Sequence, residues 1–463
     1  MNTAQQTIRI IGHYLLARWR WRWLQGERLH AYQEKRARRM VAFANHHAPF
    51  YRDHWSGHDL QCWRELPTVD KQRMMANFQR FNTAGVPLED AMQTALQAET
   101  SRDFRPTTHG LTVGLSSGTS GHRGLFLISP AEQAAWAGVI LARLLPPRLP
   151  AGGLRAAFFL RANSNLYEQT RSRLVQFRYF DLLQPWELAL PVLNDFQPHM
   201  LIAPPQLLGL LAEAQRSDHL RIHPSRVLSV AEVLEPQDRA EIEATFEAPV
   251  AQVYQATEGL LAAPCFIGNL HVQEDLVALQ FQPLQSASDT GAPQTIIVTD
   301  LHRRTQPIIR YQLNDLVYLA PEACRCGSSY RLIRAIEGRA DDILYFPRPS
   351  GRLQAIFPDA IRRTLLMSGD AIQDYQVFQE QPGSLRIHIQ VDGGASMPAP
   401  GALNQGFARL APAVEQAFVE TLAQSGCQVT GLQVIPGLLP LAPGAKRRRV
   451  RRLWNETTNN SLE

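Results

Sequence analysis

Cysteine is scarce, with five among 463 residues, too few and too scattered for the disulfide framework of a small secreted domain. A reducing, cytoplasmic setting is the expectation. Long apolar runs are missing too. The opening stretch sets Arg9 between Ile8 and Ile10 and threads Arg18, Arg20 and Arg22 among Trp19, Trp21 and Trp23. No segment there approaches the roughly 20 apolar residues of a membrane span, and no cleavable signal pattern is evident. Internal repeats and low-complexity tracts are absent apart from KRRRVRR at 446–452. A net charge of +5 argues little for nucleic acid, and no such partner is expected.

The length exceeds what one hydrophobic core usually supports, so two or more domains are expected. Residues 1–45 read as a basic, aromatic helical extension. It either packs on the body with its arginines snorkelling or lies at a lipid surface as a peripheral contact on the inner face of a membrane. Leu29, Tyr32, Met40, Val41 and Phe43 keep helical spacing. From about 110, strand-like runs (154–161, 199–205, 226–232, 248–254, 295–301) alternate with helix-like ones, which predicts an α/β class with largely parallel sheet. Near 340 the texture shifts to short strands and one helix, a small α+β module. The domains are therefore set at 1–340 and 341–463.

LSSGTSGHRGLFLIS at 115–129 places glycines and hydroxyls between strand-like segments. Backbone N–H groups and hydroxyls in such a loop can cradle phosphate oxygens. No Lys stands where the common nucleotide loop needs one, so by itself the segment is also readable as a polar hairpin turn. Four further segments accompany it: YQATEG with Thr257 and Glu258, PIIRYQLND ending at Asp315, EGRADD with Arg339, Asp341 and Asp342, and PLAPGAK with Lys446. Asp315 follows a strand, where a carboxylate can accept both ribose hydroxyls.

In that order, SSGTSG, Y-x-x-T-E, R-Y-x-x-x-D, G-R-x-D-D and P-L-x-P-x-x-K resemble the adenylate-forming superfamily of acyl-CoA synthetases, peptide-synthetase adenylation domains and luciferases. HAPFYRDHW, GNLHVQED and C-R-C-G narrow the resemblance to the phenylacetate-CoA ligase branch. It covers roughly 45–450 and implies a large N-terminal domain and a small mobile C-terminal one. It also implies ATP and Mg²⁺ as cofactors, a carboxylic acid substrate, aromatic among the options, and coenzyme A or an acyl carrier protein as acceptor. Ser116, Ser117, Gly118, Thr119, Ser120 and Gly121 would form the phosphate loop. Thr257 would touch the α-phosphate, Glu258 would ligate Mg²⁺, Glu232 would sit near the adenine and Tyr254 would belong to the nucleotide site. Asp315 would hold the ribose with Arg339 in support, Asp341 would be the hinge, and Lys446 would reach the carboxylate and α-phosphate. The chain departs from the pattern at His122, Arg123 and Gly124, where a loop lysine is usual, and at Gln255, Gln312, Leu313 and Asn314. Whether Arg123 replaces that lysine stays open.

Cys265, His271, Cys324 and Cys326 offer three thiolates and an imidazole, a ligand set for a closed structural Zn²⁺ clip, with ordinary buried thiols as the alternative. Cys62 and Cys427 are expected to be packing residues. Trp136, Tyr167, Phe180 and Tyr254 are candidate pocket rings. The basic run carries Lys446; its arginines read as a solvated charge run unless they bind an anionic partner. Other outcomes keep the adenylation and change the acceptor to an amine, hydroxyl or cofactor, or keep the fold as a silent acyl-AMP-binding or membrane-associated scaffold. A homodimer is the commonest assembly to expect.

Overall fold

Alternating apolar runs and amphipathic stretches build the layers that the composition anticipates. The computed structural model describes residues 3–116, 123–146, 148–160, 175–283, 293–369, 371–391, 405–440 and 446–454. The chain divides into two compact units. The first comprises Met1–Gln282, Gln294–Leu313 and Val317–Ile336, and the second Pro283–Pro293, Asn314–Leu316 and Glu337–Glu463.

The first unit opens with helices α1 (Thr3–Trp23), α2 (Glu27–His47), α3 (Pro49–His54), α4 (Lys71–Ala76), α5 (Phe78–Phe81) and α6 (Leu88–Ser101). An antiparallel hairpin follows, β1 (Thr112–Leu115) with β2 (Leu125–Ile128), and then α7 (Pro130–Leu144). Helix α7 starts at a capping box in which Ser129 accepts from the Glu132 N–H and the Glu132 carboxylate accepts from the Ser129 N–H. Strands β3 (Leu154–Leu160), β4 (Val175–Asp181), β5 (Met200–Ala203), β6 (Arg226–Ser229) and β7 (Val250–Gln252) form a parallel sheet of order β4-β3-β5-β6-β7. Helices α8 (Leu190–Phe196), α9 (Pro205–Arg216) and α10 (Pro236–Phe246) connect them. The order reverses between β3 and β5, the topological switch beside which such sheets bind ligands at their carboxyl ends.

Beside the parallel sheet the structure adds seven strands: β8 (Tyr254–Ala256), β9 (Gly259–Pro264), β10 (Leu270–Val272), β11 (Val277–Pro283), β12 (Gln294–Asp300), β13 (Tyr311–Ala320) and β14 (Leu332–Arg339). Their order is β11-β12-β13-β14-β10-β9-β8, and the β8–β9, β9–β10 and β10–β14 pairs are antiparallel. The largest core cluster packs this sheet against α2, α3 and α4 through Met40, Tyr51, Trp55, Trp63, Val298 and Tyr311. The fold is thus mixed α/β.

The second unit holds the hairpin β15 (Leu344–Pro347) with β16 (Leu353–Ile356), and helices α11 (Pro358–Ser368) and α12 (Gln405–Gln424). Its main sheet has the order β19-β18-β17-β20, made from β17 (Ile372–Gln379), β18 (Ser384–Val391), β19 (Gly431–Pro436) and β20 (Val450–Arg452). The basic run is not a solvated charge run. Val450–Arg452 form a parallel edge strand on β17, Arg447 and Arg449 both pair with Asp374, and Arg448 pairs with Asp342. Arg452 lies over the Tyr345 and Trp454 rings, 4.9 Å from each centroid. A buried or half-buried guanidinium needs such partners, and acids and rings distant in sequence supply them.

Candidate active site

Thr257 and Glu258 form the turn of the β8–β9 hairpin, which runs on from the carboxyl end of β7. Gly259 follows at φ 153°, a backbone that favours glycine and lets the chain fold straight back. Glu258 is buried, and its Oε2 accepts from the Thr257 hydroxyl at 2.9 Å. Arg303 braces the turn from the β12–β13 connection. Its Nη1 donates to the Thr257 carbonyl at 2.8 Å and its Nη2 to Gln306 Oε1 at 3.1 Å. The backbone N–H groups of His302 and Arg303 donate to Asp300 Oδ1 at 2.7 and 2.8 Å. Burial pushes the Asp300 carboxyl up and the Arg303 guanidinium down, with their mutual attraction opposing each shift. Burial, followed by the Glu258 charge, raises the Tyr311 phenol well above its ordinary range. Glu258 therefore sits in a buried polar nest, which holds its geometry.

Tyr254, two residues beyond β7, is buried in the core cluster with Tyr51 and Tyr311. Glu232 lies just past β6, half-buried, behind Ala231 at φ 70°. Its carbonyl accepts from Gln252 at 3.5 Å, so β6 and β7 jointly hold that loop. Ser229, fully buried as the last residue of β6, has a hydroxyl without a hydrogen-bond partner among the described residues.

Ser117, Gly118, Thr119, Ser120 and Gly121 lie outside the described residues, but the base of their loop is seen. Ser116 N–H donates to the Gly124 carbonyl at 2.8 Å, and Gly124 N–H to Ser116 Oγ at 2.7 Å. Arg123 pairs with Glu99 and donates to the Ser116 carbonyl at 3.3 Å. That engagement makes it a brace of the loop base. A residue that sequence reasoning passed over lies close by: a Cβ on Gly124 would stand 3.5 Å from Lys71 Cε. Lys71 opens α4, far from the loop in sequence, and its stem runs past Gly124. The only sequence signal was a lysine directly after the Asp70 helix cap.

In the second unit Asp315 lies on β13, with Oδ1 3.7 Å from Nε of Arg339 at the end of β14. Asp341 is half-buried in the single 3-10 turn Ala340–Asp342 that separates β14 from β15. Its neighbour Asp342 is buried and accepts from Arg448 Nε at 3.0 Å. Burial pushes the Asp342 carboxyl up while Arg448 opposes that shift. Sequence reading named Asp342 without this partner. Lys446 is half-buried directly before the arginines that anchor β20.

The pocket rings disperse among different cores. Trp136 packs beside Ile10, Ala134 and Ala137, Phe180 stacks on Phe159 at 4.6 Å, and Tyr254 belongs to the large cluster. Tyr167 lies outside the described residues. Cys427 is a packing residue as expected, but Cys62 is exposed, its thiol 3.6 Å from Asp59 Oδ2.

Cys265, His271, Cys324 and Cys326 converge with all ligand atoms within 4.8 Å of one another. Cys265 Sγ and Cys324 Sγ are 3.9 Å apart, and Cys326 Sγ is 3.3 Å from His271 Nε2. A tetrahedron with Zn–S bonds of about 2.3 Å has edges of about 3.8 Å, so the donors fit that ion. His271 Nδ1 is held 2.9 Å from the Tyr330 carbonyl, leaving Nε2 toward the thiols. Tight turns at Gly268 (φ 98°) and Gly327 (φ 81°) return the cysteine loops to the cluster. Burial, then the neighbouring thiols Cys324 and Cys265, pushes the Cys326 thiol up to about 12, while the Ser328 N–H opposes.

No protein-family model matches the chain. It is 24% identical over 385 residues to a phenylacetate-coenzyme A ligase of Thermus thermophilus, covering 78% of this chain and 80% of that one. Among solved structures it superposes on 2-hydroxyisobutyryl-CoA ligase in the postadenylation state with an acyl-AMP at TM-score 0.65, with 18% identity, 93% of this chain and 90% of that one. An open conformation of the same ligase, bound to 2-HIB-AMP and CoA, matches at TM-score 0.59 with 19% identity, covering 93% and 92%. The shared fold is that of 2-hydroxyisobutyryl-CoA ligase.

Proposed function

We propose that this chain, a member by fold and resemblance of the adenylate-forming ligases on their phenylacetate-CoA ligase side, uses ATP to activate a carboxylic acid as acyl-AMP. Pyrophosphate leaves, and the acyl group passes to the thiol of coenzyme A, a chemistry that a carrier-protein phosphopantetheine shares. The Thr257–Glu258 turn, with Glu258 buried and with Arg303 bracing it beyond the ends of the parallel sheet, is the observation that carries the reading.

A carboxylate attacking the α-phosphate is one anion approaching another, so cationic groups must offset the charge that builds up. Mg²⁺, when bound, neutralises phosphate charge, and the buried Glu258 carboxylate is the group that would hold it. Thr257 positions the α-phosphate through its hydroxyl, and Ser116 supports the β- and γ-phosphates together with the glycine-rich loop that follows. Glu232 and Tyr254 bound the adenine side. Asp315 accepts the ribose hydroxyls, Arg339 steadies that carboxylate, and Lys446 supplies a cation to the acid and α-phosphate. The thioester step needs Lys446 withdrawn, and the short turn at Asp341 is the proposed pivot. Lys71 is added to this set as a cation for the phosphate loop. The Cys265, His271, Cys324 and Cys326 cluster takes a structural Zn²⁺ with no open position.

Pyrophosphate exchange against a library of acids tests the reading, followed by acceptor screening with coenzyme A, carrier proteins and amines. Exchange is expected with at least one acid, with thioester formed on coenzyme A. Absence of exchange with every acid, in protein that binds ATP, would overturn the ligase assignment.

A further inference from the structure

Helix α1 is apolar on two opposite faces. One packs on α7, where a Cβ on Gly138 would stand 2.5 Å from the Ile10 carbonyl, so the two backbones lie in direct contact. Ile10 and Ala17 are buried on that side, and Trp21 meets the His271 and Tyr330 rings edge-on at 5.3 and 4.8 Å. The other face is open. Ile8 is 69% exposed, Ile11 52%, Leu15 60%, Trp19 52% and Trp23 50%. At 100° per residue these positions fall on one stripe, opposite Ile10 and Ala17. Arg9 and Arg18 are exposed beside it, Arg22 is exposed within it near its carboxyl end, and residues 1–26 contain no Asp or Glu.

We propose that this stripe docks α1 in the plane of an anionic lipid surface, with the apolar side chains below the headgroups and the arginines among their phosphates. The pattern of apolar and tryptophan side chains bordered by cations is that of an interfacial helix. No helix among the described residues is long and apolar enough to cross a membrane, so the contact is with a surface. A second copy of the chain fits worse. The stripe is roughly 22 Å long and about 10 Å wide, on the order of 220 Å² against the roughly 800 Å² per partner of a stable interface. Pairing two such stripes would also set arginines against arginines. Docking is independent of the ligase reading, since the stripe faces away from the side of α1 that packs on the body.

Co-sedimentation of the full chain with vesicles of phosphatidylcholine alone, or mixed equally with phosphatidylglycerol, tests this. Binding is expected to the mixed vesicles only, to fall as salt is raised, and to drop about tenfold or more in a Leu15→Ser, Trp19→Ser variant of unchanged circular dichroism. Brominated lipid should quench the wild-type tryptophan emission more than that of Trp19→Leu, Trp23→Leu, which keeps the apolar stripe and its vesicle binding. No sedimentation with anionic vesicles at low salt, or equal binding by the serine variant, overturns the proposal. So does a chain dimer that disappears in the serine variant while vesicle binding is absent.

Discussion

His302 is enclosed by Arg36, Tyr32 and Arg20, with Arg36 Nη2 2.8 Å from its Nδ1 and the Asp275 carbonyl 2.9 Å from its Nε2. A guanidinium can only donate, so Nδ1 accepts and the proton sits on Nε2, facing that carbonyl. Burial, then the two arginine charges, lowers this imidazole to about 3. Between that value and the unfolded value near 6.5 the unfolded chain binds the extra proton, so stability falls as pH drops through this window, by at most about 1.4 kcal/mol per pH unit from this group. Chemical denaturation across the window should give a shallower slope for His302→Gln. Arg303→Lys cannot reach both Thr257 and Gln306, and about a tenfold loss in pyrophosphate exchange is expected together with a lowered melting temperature, because a buried acceptor is left unpaired. Lys446→Ala and Glu258→Gln should each lower exchange by about 10²-fold or more. Lys71→Ala should raise KM for ATP while leaving the melting temperature unchanged, because that side chain serves the loop more than the core. None of these partners is adjacent in sequence, and that is why Lys71 and Arg303 went unread while Thr257, Glu258 and Lys446 stood out in short motifs.

At the scale of elements, α1 and α7 are held together by a missing side chain and by Arg143, which a buried ion pair with Asp275 fixes in place. Arg143 on α7 donates to the Ala17 carbonyl of α1 at 2.8 Å and to both Asp275 oxygens at 2.8 and 2.9 Å, with both side chains almost fully buried. Removing one partner leaves a buried charge, so Arg143→Met should cost about 3–5 kcal/mol in denaturant unfolding. Gly138→Val forces the helices apart and should cost about 1–3 kcal/mol, with α1 released first in limited proteolysis. Four strands of the parallel sheet, β3, β5, β6 and β7, were legible as apolar runs because both faces of such a sheet are covered, whereas edge strand β4 was not, since exposed Gln176 and Arg178 interrupt it. The β8–β9 hairpin was not: Gln255 and Ala256 carry no alternation, and a bulge between Tyr254 and Gln255 sets its register.

For the whole molecule, the Cys265, His271, Cys324 and Cys326 cluster is a long-range junction, which the proposed Zn²⁺ would turn into a staple. It joins the β9–β10 turn to the β13–β14 connection and receives Trp21 of α1 on its histidine. Elemental analysis of freshly purified protein should find one zinc per chain, and chelation should lower the melting temperature, as should Cys324→Ala. The sequence by itself carried the motif order on which the proposed adenylating chemistry rests, because glycine, hydroxyl, acid and lysine motifs of that kind are local in sequence. It also determined the α/β texture, since periodicity is a local property of burial. Only the tertiary structure decided that the arginines after Lys446 are mostly paired, that Arg123 braces Glu99, that Trp136, Phe180 and Tyr254 belong to separate cores, and that one face of α1 stays open. Those outcomes depend on which distant acids, rings and helices share a neighbourhood, and spacing along the chain carries no record of that.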